Sequence, residues 1–343
     1  MKDFRISFVV TFVGLGLAAW WGSRNGMGMM PALLLAAVLS IMEVSLSFDN
    51  AVVNASILRE MDRKWQMIFL TVGILIAVFG MRLVFPIAIV AVATGLDMGT
   101  VTRMALNDPD TYSRHLTEHY AGIAAFGGMF LLLVFLSFLF DTRRELHWLG
   151  ALEKKLASLG NIEAFGVMMA LAVLLALFFW MPLSPEDKAT VLAAGIGGVI
   201  LFVAVSSIGH FFGDENVGGA AVEGAKRNGV AAFLYLEVLD ASFSFDGVIG
   251  AFAVTRDMIL IMLGLGIGAM FVRSMTIHLV HKGTLERYVF LEHGAHYAIG
   301  ALAFLMLLGI VRHVSEVLTG LIGVAFIVLS LISSIRYNRR KRA

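Results

Sequence analysis

The feature that most constrains this chain is a succession of apolar runs, each long enough to cross a lipid bilayer. A membrane-spanning helix needs about 20 mostly apolar residues. Of the 343 residues, 59% are hydrophobic and only 15% are charged, which leaves too little polar surface to cover a soluble domain. The sequence therefore predicts an all-α polytopic membrane protein surrounded by lipid. The candidate transmembrane spans, ten in all, are 5–21, 31–58, 66–94, 120–140, 162–181, 188–212, 230–254, 257–280, 293–311 and 314–335. The third is long and contains Arg82 and Pro86, so we expect it to be kinked.

The composition points to one transmembrane domain that covers residues 1–343. The formal net charge is only +1, so nothing indicates a nucleic-acid partner, and the absence of cysteine excludes disulfides and thiolate metal sites. The first apolar run ends in Trp20 and Trp21, which resemble an interfacial anchor more than a signal-peptide cleavage site. We therefore expect the first run to be a retained helix.

The distribution of basic residues predicts the orientation of the chain. Eighteen of the 26 Lys and Arg residues fall in the two termini and in the alternate loops, and six fall in the remaining loops. Cytoplasmic segments of membrane proteins carry such an excess of positive charge, so both termini are expected to be cytoplasmic. The four loops that share this predicted side are 59–65, 141–161, 213–229 and 281–292.

One acidic motif occurs twice within the apolar runs. EVSLSFDNAV covers residues 43–52 and DASFSFDGVI covers residues 240–249, with an acid, two Ser, Phe and Asp at matching positions. The first copy lies in the second predicted span and the second copy in the seventh. Because an odd number of spans separates them, the copies run in opposite directions across the membrane. The sequence thus predicts a five-plus-five inverted-topology repeat, with halves at about 1–181 and 188–335.

The acids of this motif are the strongest functional signal in the chain. A carboxylate in the bilayer interior is energetically costly and by default marks a functional site. Carboxylate, amide and hydroxyl oxygens are hard donors that suit Mg²⁺, Ca²⁺ or Mn²⁺. The two motif copies therefore predict a site for a divalent cation. Its candidate ligands are Glu43, Ser47, Asp49, Asn50, Asp240, Ser244 and Asp246.

Helical periodicity divides the first motif between two faces. At about 100° per residue, Glu43, Ser47, Asn50 and Asn54 share one stripe, whereas Ser45 and Asp49 share another. An unbroken helix could not direct Glu43 and Asp49 towards one point. We therefore expect discontinuous helices at both copies of the motif, with unwinding near 48–50 and 245–247, where Asn50 and Gly247 tolerate irregular backbone.

Other charged residues recur between the two halves. Arg82 matches Arg273, and we interpret the two arginines as counter-charge or gating residues, the alternative being that they only pair with the acids to hold helices together. Glu118 and His119 match Glu292 and His293 at the openings of two spans. These four are candidate proton-carrying or vestibule residues, although interfacial histidines in ordinary hydrogen bonds are an equal alternative.

The motif residues resemble those of the TerC family of bacterial membrane proteins. Residues 43–52 are similar to its first signature, an acid followed by Leu-Ser-x-Asp-Asn, and residues 240–246 are similar to its second, in which five residues separate two Asp. Arg82 falls where that family carries an arginine in the next helix. The resemblance covers spans 2–4 and 7–9, and Gly247 departs from it because the family usually has Ser there.

The resemblance implies a multi-pass protein of the bacterial inner membrane that exports manganese and belongs to the wider LysE-type exporter superfamily. It implies no resident cofactor and no enzymatic activity, and Mn²⁺ would be the transported substrate, with protons as the candidate coupling ion. The alternatives are a calcium or magnesium transporter, a membrane scaffold in metal or tellurite stress, and an intramembrane metalloenzyme. By position, the resemblance implies that the metal residues are Glu43, Asp49, Asn50, Asp240 and Asp246.

Overall fold

The computed structural model describes residues 2–162, 164–211, 229–312 and 314–342, and within these ranges the chain contains helices and no strand. Short 3₁₀ helices cover Lys2–Phe4 and Ser158–Asn161, and a π-helical segment covers Ile76–Val84. The α-helices are α1 Arg5–Arg24, α2 Met29–Leu46, α3 Phe48–Leu58, α4 Arg63–Leu75, α5 Phe85–Thr94, α6 Met98–Asn107, α7 Pro109–Glu118, α8 Tyr120–Leu139, α9 Ala151–Ala157, α10 Phe165–Trp180, α11 Pro185–Phe211, α12 Gly229–Val254, α13 Met258–His281, α14 Thr284–Arg287, α15 Leu291–Gly309 and α16 Glu316–Arg342.

The described part of the chain contains seven helices that are long and apolar enough to span a membrane, or up to nine if two bent helix pairs each count as one span. The chain is therefore an all-helical, multi-pass membrane protein. Each of the ten predicted runs contains helix, but the count of ten and the inverted relation between the halves stay predictions. The seven helices are Arg5–Arg24, Met29–Leu46, Tyr120–Leu139, Pro185–Ser207, Met258–His281, Leu291–Gly309 and Leu318–Lys341.

The third predicted span is bent. The axes of Arg63–Gly73 and Val78–Val92 differ by 45°. The π-helical segment lies at this bend, and Pro86 follows in the first turn of α5. Both features are recognised causes of helix kinks, and π-helical turns are frequent at functional sites. The kink that the sequence predicts in this span is thus confirmed, and the π-helical segment carries Arg82.

The two copies of the motif differ in backbone structure. The first copy is discontinuous, because α2 ends at Leu46 and α3 begins at Phe48, with Ser47 between them at φ −104° and ψ 18°. The prediction of a second break near 245–247 is wrong, because α12 runs unbroken from Gly229 to Val254. The position that favoured unwinding, Gly247, serves close packing instead, since a Cβ atom there would lie 2.9 Å from Oε2 of Glu43.

Helix α13 is the element around which the first motif is assembled. It packs against α1, α2, α3 and the π-helical segment, whereas α8 packs against α11 and α15. Two glycines of α13 allow α2 to approach closely: a Cβ atom on Gly264 would lie 2.5 Å from the Cβ of Leu39, and one on Gly268 would lie 2.5 Å from the Cβ of Glu43. Small residues at helix contacts permit this kind of close packing in membranes.

The N-terminal segment is attached to the C-terminal half of α13. The Ser7 hydroxyl donates to the backbone oxygen of Met270 at 2.8 Å. Asp3 lies 3.0 Å from Nδ1 of His278 and 3.3 Å from Nδ1 of His281. The hydrogen bond from His278 is the main cause that lowers the pKa of Asp3 below its ordinary value of 3.8, against a smaller opposing effect of burial.

Candidate functional site

The stripe that periodicity predicts on the first motif faces one cavity. Glu43, Ser47, Asn50 and Asn54 all line it, whereas Ser45 is exposed on the outside of α2. Ser47 keeps i→i−4 backbone hydrogen bonds to Glu43 at 3.0 Å and from Ala51 at 3.2 Å, so the break does not disturb this alignment. The Ser47 hydroxyl donates to Oε1 of Glu43 at 2.9 Å, which fixes the carboxylate towards the cavity. The predicted division of the motif into two faces is confirmed.

Residues of the second motif complete the same cavity. Asp240 and Ser244, one turn apart on α12, line its opposite side. Asn50 donates to Oδ1 of Asp240 at 3.0 Å, and Asn54 donates to the same oxygen at 2.7 Å. The two copies of the motif, which lie far apart in the sequence, are thus joined by direct hydrogen bonds. We call this space, with a volume of about 20 Å³, the Glu43–Asp240 cavity.

Two buried arginines line the Glu43–Asp240 cavity, as their matching positions in the sequence suggested. Arg82 forms an ion pair with Glu43, and both side chains are almost fully buried. Arg273 lies 3.6 Å from Asp240 and 3.6 Å from Glu237. Each acid of the cavity therefore has an arginine partner, as a buried carboxylate requires in a medium of low dielectric constant.

Glu237 belongs to this charge network, although the sequence analysis did not select it. It is buried on α12, three residues before Asp240 and so on the same side of the helix. Neither of its carboxylate oxygens has a hydrogen-bond partner among the described residues. An acid one turn away from a motif acid, within the same apolar run, was the signal that would have identified it.

Arg273 is held in place by more than its two carboxylates. Its guanidinium donates to the backbone oxygen of Phe69 at 2.7 Å and lies 3.9 Å from the centre of the Phe69 ring. A Cβ atom on Gly73 would lie 2.2 Å from this guanidinium, so the absence of a side chain at Gly73 makes room for it. The contacts with α4 keep Arg273 at the edge of the Glu43–Asp240 cavity rather than in its centre.

Several oxygen atoms around the cavity could each accept a hydrogen bond or coordinate a cation. Oδ1 of Asn50, Oδ1 of Asn54 and Oγ of Ser244 are buried, and none has a hydrogen-bond partner among the described residues. Leaving a buried polar atom unpaired costs about 1–3 kcal/mol, so three of them around one small space call for a ligand. Such oxygens, beside two carboxylates, provide hard donors for a cation.

Asp49 does not reach the Glu43–Asp240 cavity. It is buried and faces a neighbouring cavity of about 30 Å³, which we call the Asp49 cavity. Among the described residues, Ser47 is the one that lines both spaces. Asp246 lies in α12, and its side chain is outside the described part of the structure. The predicted ligand set is thus divided, with Glu43, Asp240 and their neighbours separate from Asp49.

Among the described residues, no group of three or more His, Asp or Glu side chains could hold a metal ion. The Glu43–Asp240 cavity offers two carboxylates, and its remaining donors are amide and hydroxyl oxygens. A cation bound there would therefore rely on neutral oxygens in addition to Glu43 and Asp240. That donor set suits hard divalent cations and does not suit soft ones.

The candidate vestibule residues lie elsewhere, since other described residues form the linings of both cavities. At the junction of α7 and α8, Glu118 pairs with His115 at 3.3 Å, and Nδ1 of His119 lies 2.8 Å from the backbone oxygen of His115. Glu292 lies 3.7 Å from Arg59. Each of these contacts is an ordinary hydrogen bond or ion pair, and the proton-carrying or vestibule role of these residues stays a prediction.

His293 contacts a buried ion pair that the sequence analysis missed. Nε2 of His293 lies 3.5 Å from Glu153, whose side chain is fully buried and lies 3.3 Å from Arg144. Glu153 also accepts a hydrogen bond from the backbone of Leu149 at 3.0 Å. An isolated Glu in a Lys-rich loop helix carries no sequence signal, because its burial depends on how the loop folds against α15.

The family comparison matches most of the chain. A family model described as "Protein of unknown function (DUF475)" matches residues 48–341. The chain belongs to the DUF475 family. The match includes Asp49, Asn50, the whole second motif and both arginines, and it begins after Glu43 and Ser47. No curated protein and no solved structure gave a significant match. The resemblance to the TerC family stays a prediction.

Proposed function

We propose that this DUF475 protein transports a divalent metal cation, with Mn²⁺ as the leading substrate, through the Glu43–Asp240 cavity. The observation that carries the proposal is the set of three unpaired acceptor oxygens, from Asn50, Asn54 and Ser244, around a space that also contains two carboxylates. In a network built only to hold helices together most buried acceptors are satisfied, so three unsatisfied oxygens around one cavity favour a ligand there.

The size of the cavity supports a small, largely dehydrated cation. A water molecule needs roughly 10–15 Å³ of such space, so about 20 Å³ holds one water-sized species. Oxyanions such as tellurite are larger and would face two carboxylates, which disfavours them electrostatically. Carboxylate, amide and hydroxyl oxygens match the preferences of Mn²⁺, Mg²⁺ and Ca²⁺, and the TerC resemblance favours Mn²⁺ among the three.

The arginines explain how the acids persist without a cation. Arg82 and Arg273 neutralise Glu43 and Asp240 in the arrangement described here. A divalent cation in the cavity would replace these contacts, and Arg273 would retain Glu237 as a partner. Competition between the arginines and the cation would then couple binding to a change in helix packing, as alternating access requires.

The proposed membrane location, orientation and proton coupling rest on the sequence. The chain would lie in the bacterial inner membrane with both termini in the cytoplasm, and it would export the metal against an inward flow of protons. The excess of basic residues in alternate loops supports the orientation. The repeated motif supports rocking of one half against the other about a shared site.

Flux into proteoliposomes tests the proposal, with wild type and Asp240→Asn compared for Mn²⁺, Ca²⁺ and Mg²⁺, with and without a pH gradient. Asp240→Asn is the sharpest variant, because it keeps the shape of the side chain and leaves Arg273 paired with Glu237. Glu145→Gln, which removes an exposed loop carboxylate, is the matched control. We expect Asp240→Asn to abolish flux and Glu145→Gln to preserve it. Equal flux in all three proteins, or no flux of any ion through folded wild type, would refute the proposal.

A further inference from the structure

Asp49 differs from the other described acids of the motif in having no counter-charge. Glu43 and Asp240 each pair with an arginine, whereas within the described residues no Lys, Arg or His forms an ion pair with Asp49. Its side chain is only 6% exposed. A buried, uncompensated carboxylate is costly, and the cost is removed when a cation occupies the space beside it.

Two local contacts offset part of the cost of burying the Asp49 carboxylate in its ionised form. Its Oδ1 accepts a hydrogen bond from the backbone N–H of Asn50 at 3.0 Å. Asp49 also lies in the first turn of α3, where the positive end of the helix dipole stabilises an anion. Both effects lower the cost of the ionised carboxylate only in part, because burial acts in the opposite direction and is the larger effect. A cation in the space beside Asp49 would offset the cost that remains.

The Asp49 cavity supplies further oxygen donors for such an ion. The hydroxyl-bearing residues Ser47 and Thr319 line it together with Asp49. It opens at the break where α2 ends, with Leu46 in its lining. The C-terminal end of a discontinuous helix carries partial negative charge, and such ends coordinate Na⁺ in membrane transporters of known mechanism.

The charge and the volume select a monovalent ion. One carboxylate balances one positive charge, whereas Ca²⁺ and Mg²⁺ sites usually draw on more acidic or better hydrated ligand sets. The volume of about 30 Å³ holds an ion with at most one or two waters. We propose that the Asp49 cavity is a second cation site, distinct from the Glu43–Asp240 cavity, and that it binds Na⁺.

The position of the second site connects it to the first. Ser47 lines both cavities and donates its hydroxyl hydrogen to Glu43 at 2.9 Å. Gly247 lines the Asp49 cavity, and a Cβ atom there would lie 2.9 Å from Oε2 of Glu43. Glu43 and Ser47 therefore form the wall between the two spaces, so occupancy of one site acts directly on a ligand of the other. As a coupling site the Asp49 cavity rests on the proposed transport function, but Na⁺ binding does not depend on it.

Binding of ²²Na⁺ to the purified full chain in nanodiscs tests the inference directly. We expect saturable binding to wild type and at least a tenfold loss of affinity in Asp49→Asn. Thr319→Val, which removes one hydroxyl at nearly constant volume, should weaken binding several-fold. Thr71→Val is the matched control, because Thr71 is exposed on α4 and its hydroxyl bonds only within that helix. If Asp49→Asn does not fold, the comparison of the two threonine variants decides the question.

Binding of ⁵⁴Mn²⁺ to the same proteins separates this inference from the proposed function. Asp49→Asn should retain Mn²⁺ binding, whereas Asp240→Asn should lose it. Loss of Mn²⁺ binding in Asp49→Asn to the same extent would assign Asp49 to the first site and overturn the inference. Absence of ²²Na⁺ binding to wild type would overturn it as well. Na⁺ binding without any Mn²⁺ binding to wild type would refute the proposed function and leave the Na⁺ site standing.

Discussion

Replacing Gly268 by alanine tests the close packing that places Glu43 at its cavity. A Cβ atom on Gly268 would lie 2.5 Å from the Cβ and 2.6 Å from the Cγ of Glu43, and 2.8 Å from the backbone oxygen of Ser40. Because one of these atoms belongs to the backbone, no side-chain rotation can relieve the overlap. Helices α2 and α13 must separate, and Glu43 must move with α2.

The expected cost follows from two opposing effects. Forcing an extra methyl group into a packed interior costs about 1–3 kcal/mol. Alanine is favoured over glycine in a helix by about 1 kcal/mol, which offsets part of that cost. We therefore expect the free energy of unfolding to fall by up to about 2 kcal/mol. Gly16→Ala is the matched control, because Gly16 is helical and no atom lies within 4 Å of its added Cβ.

Unfolding in mixed micelles titrated with SDS, followed by tryptophan fluorescence, measures both variants against wild type. Gly16→Ala should be as stable as wild type or up to about 1 kcal/mol more stable, since it gains helix propensity without a clash. The difference between the two variants isolates the steric cost at Gly268. Equal stability of Gly268→Ala and Gly16→Ala would refute the described contact between α2 and α13. Gly268→Ala should also weaken Mn²⁺ binding, because it displaces the Glu43 carboxylate.

Three further outcomes are expected. Ser47→Ala should weaken Mn²⁺ binding about fivefold by removing one hydrogen-bonded ligand, and Ser45→Ala, two residues away but exposed, should leave it unchanged in the same radioligand assay. Arg82→Gln should destabilise the fold by about 3–5 kcal/mol in SDS titration by leaving Glu43 buried and unpaired, and the double variant with Glu43→Gln should recover much of that loss. Asp3 has a lowered pKa in the folded chain, so its contribution to stability is present above its ordinary pKa of 3.8 and is lost as pH falls below that value. The difference in free energy of unfolding between wild type and Asp3→Asn should therefore shrink as pH is lowered from 6 to 3.

Local sequence pattern was sufficient for the features that depend on one helix at a time. The apolar runs predicted a multi-pass helical protein, because a run of this length can satisfy its backbone groups in a bilayer only as a helix. The period of the helix placed Glu43, Ser47, Asn50 and Asn54 on one face, and these residues share one cavity. The third span was expected to bend and does so at the π-helical segment.

Features that depend on contacts between helices required the tertiary structure. Asp49 shares the motif with Glu43, yet it faces a different cavity, because the i→i−4 hydrogen bonds of Ser47 continue across the break and keep the two acids on different faces. The second motif stays helical because Gly247 packs against Glu43 instead of unwinding. Glu237 joins the charge network only through Arg273, a residue of another helix.

The sequence by itself determined that the chain is a helical membrane protein with the same acids in two of its apolar segments. The tertiary structure decided which of those acids meet, which arginine neutralises each, and which acid has no described partner. The physical reason is that helix periodicity is a local property that every turn repeats, whereas the approach of α2 to α13 depends on small residues such as Gly268 lying opposite Glu43. Contacts between residues so distant in the chain leave no mark on the pattern of either segment alone.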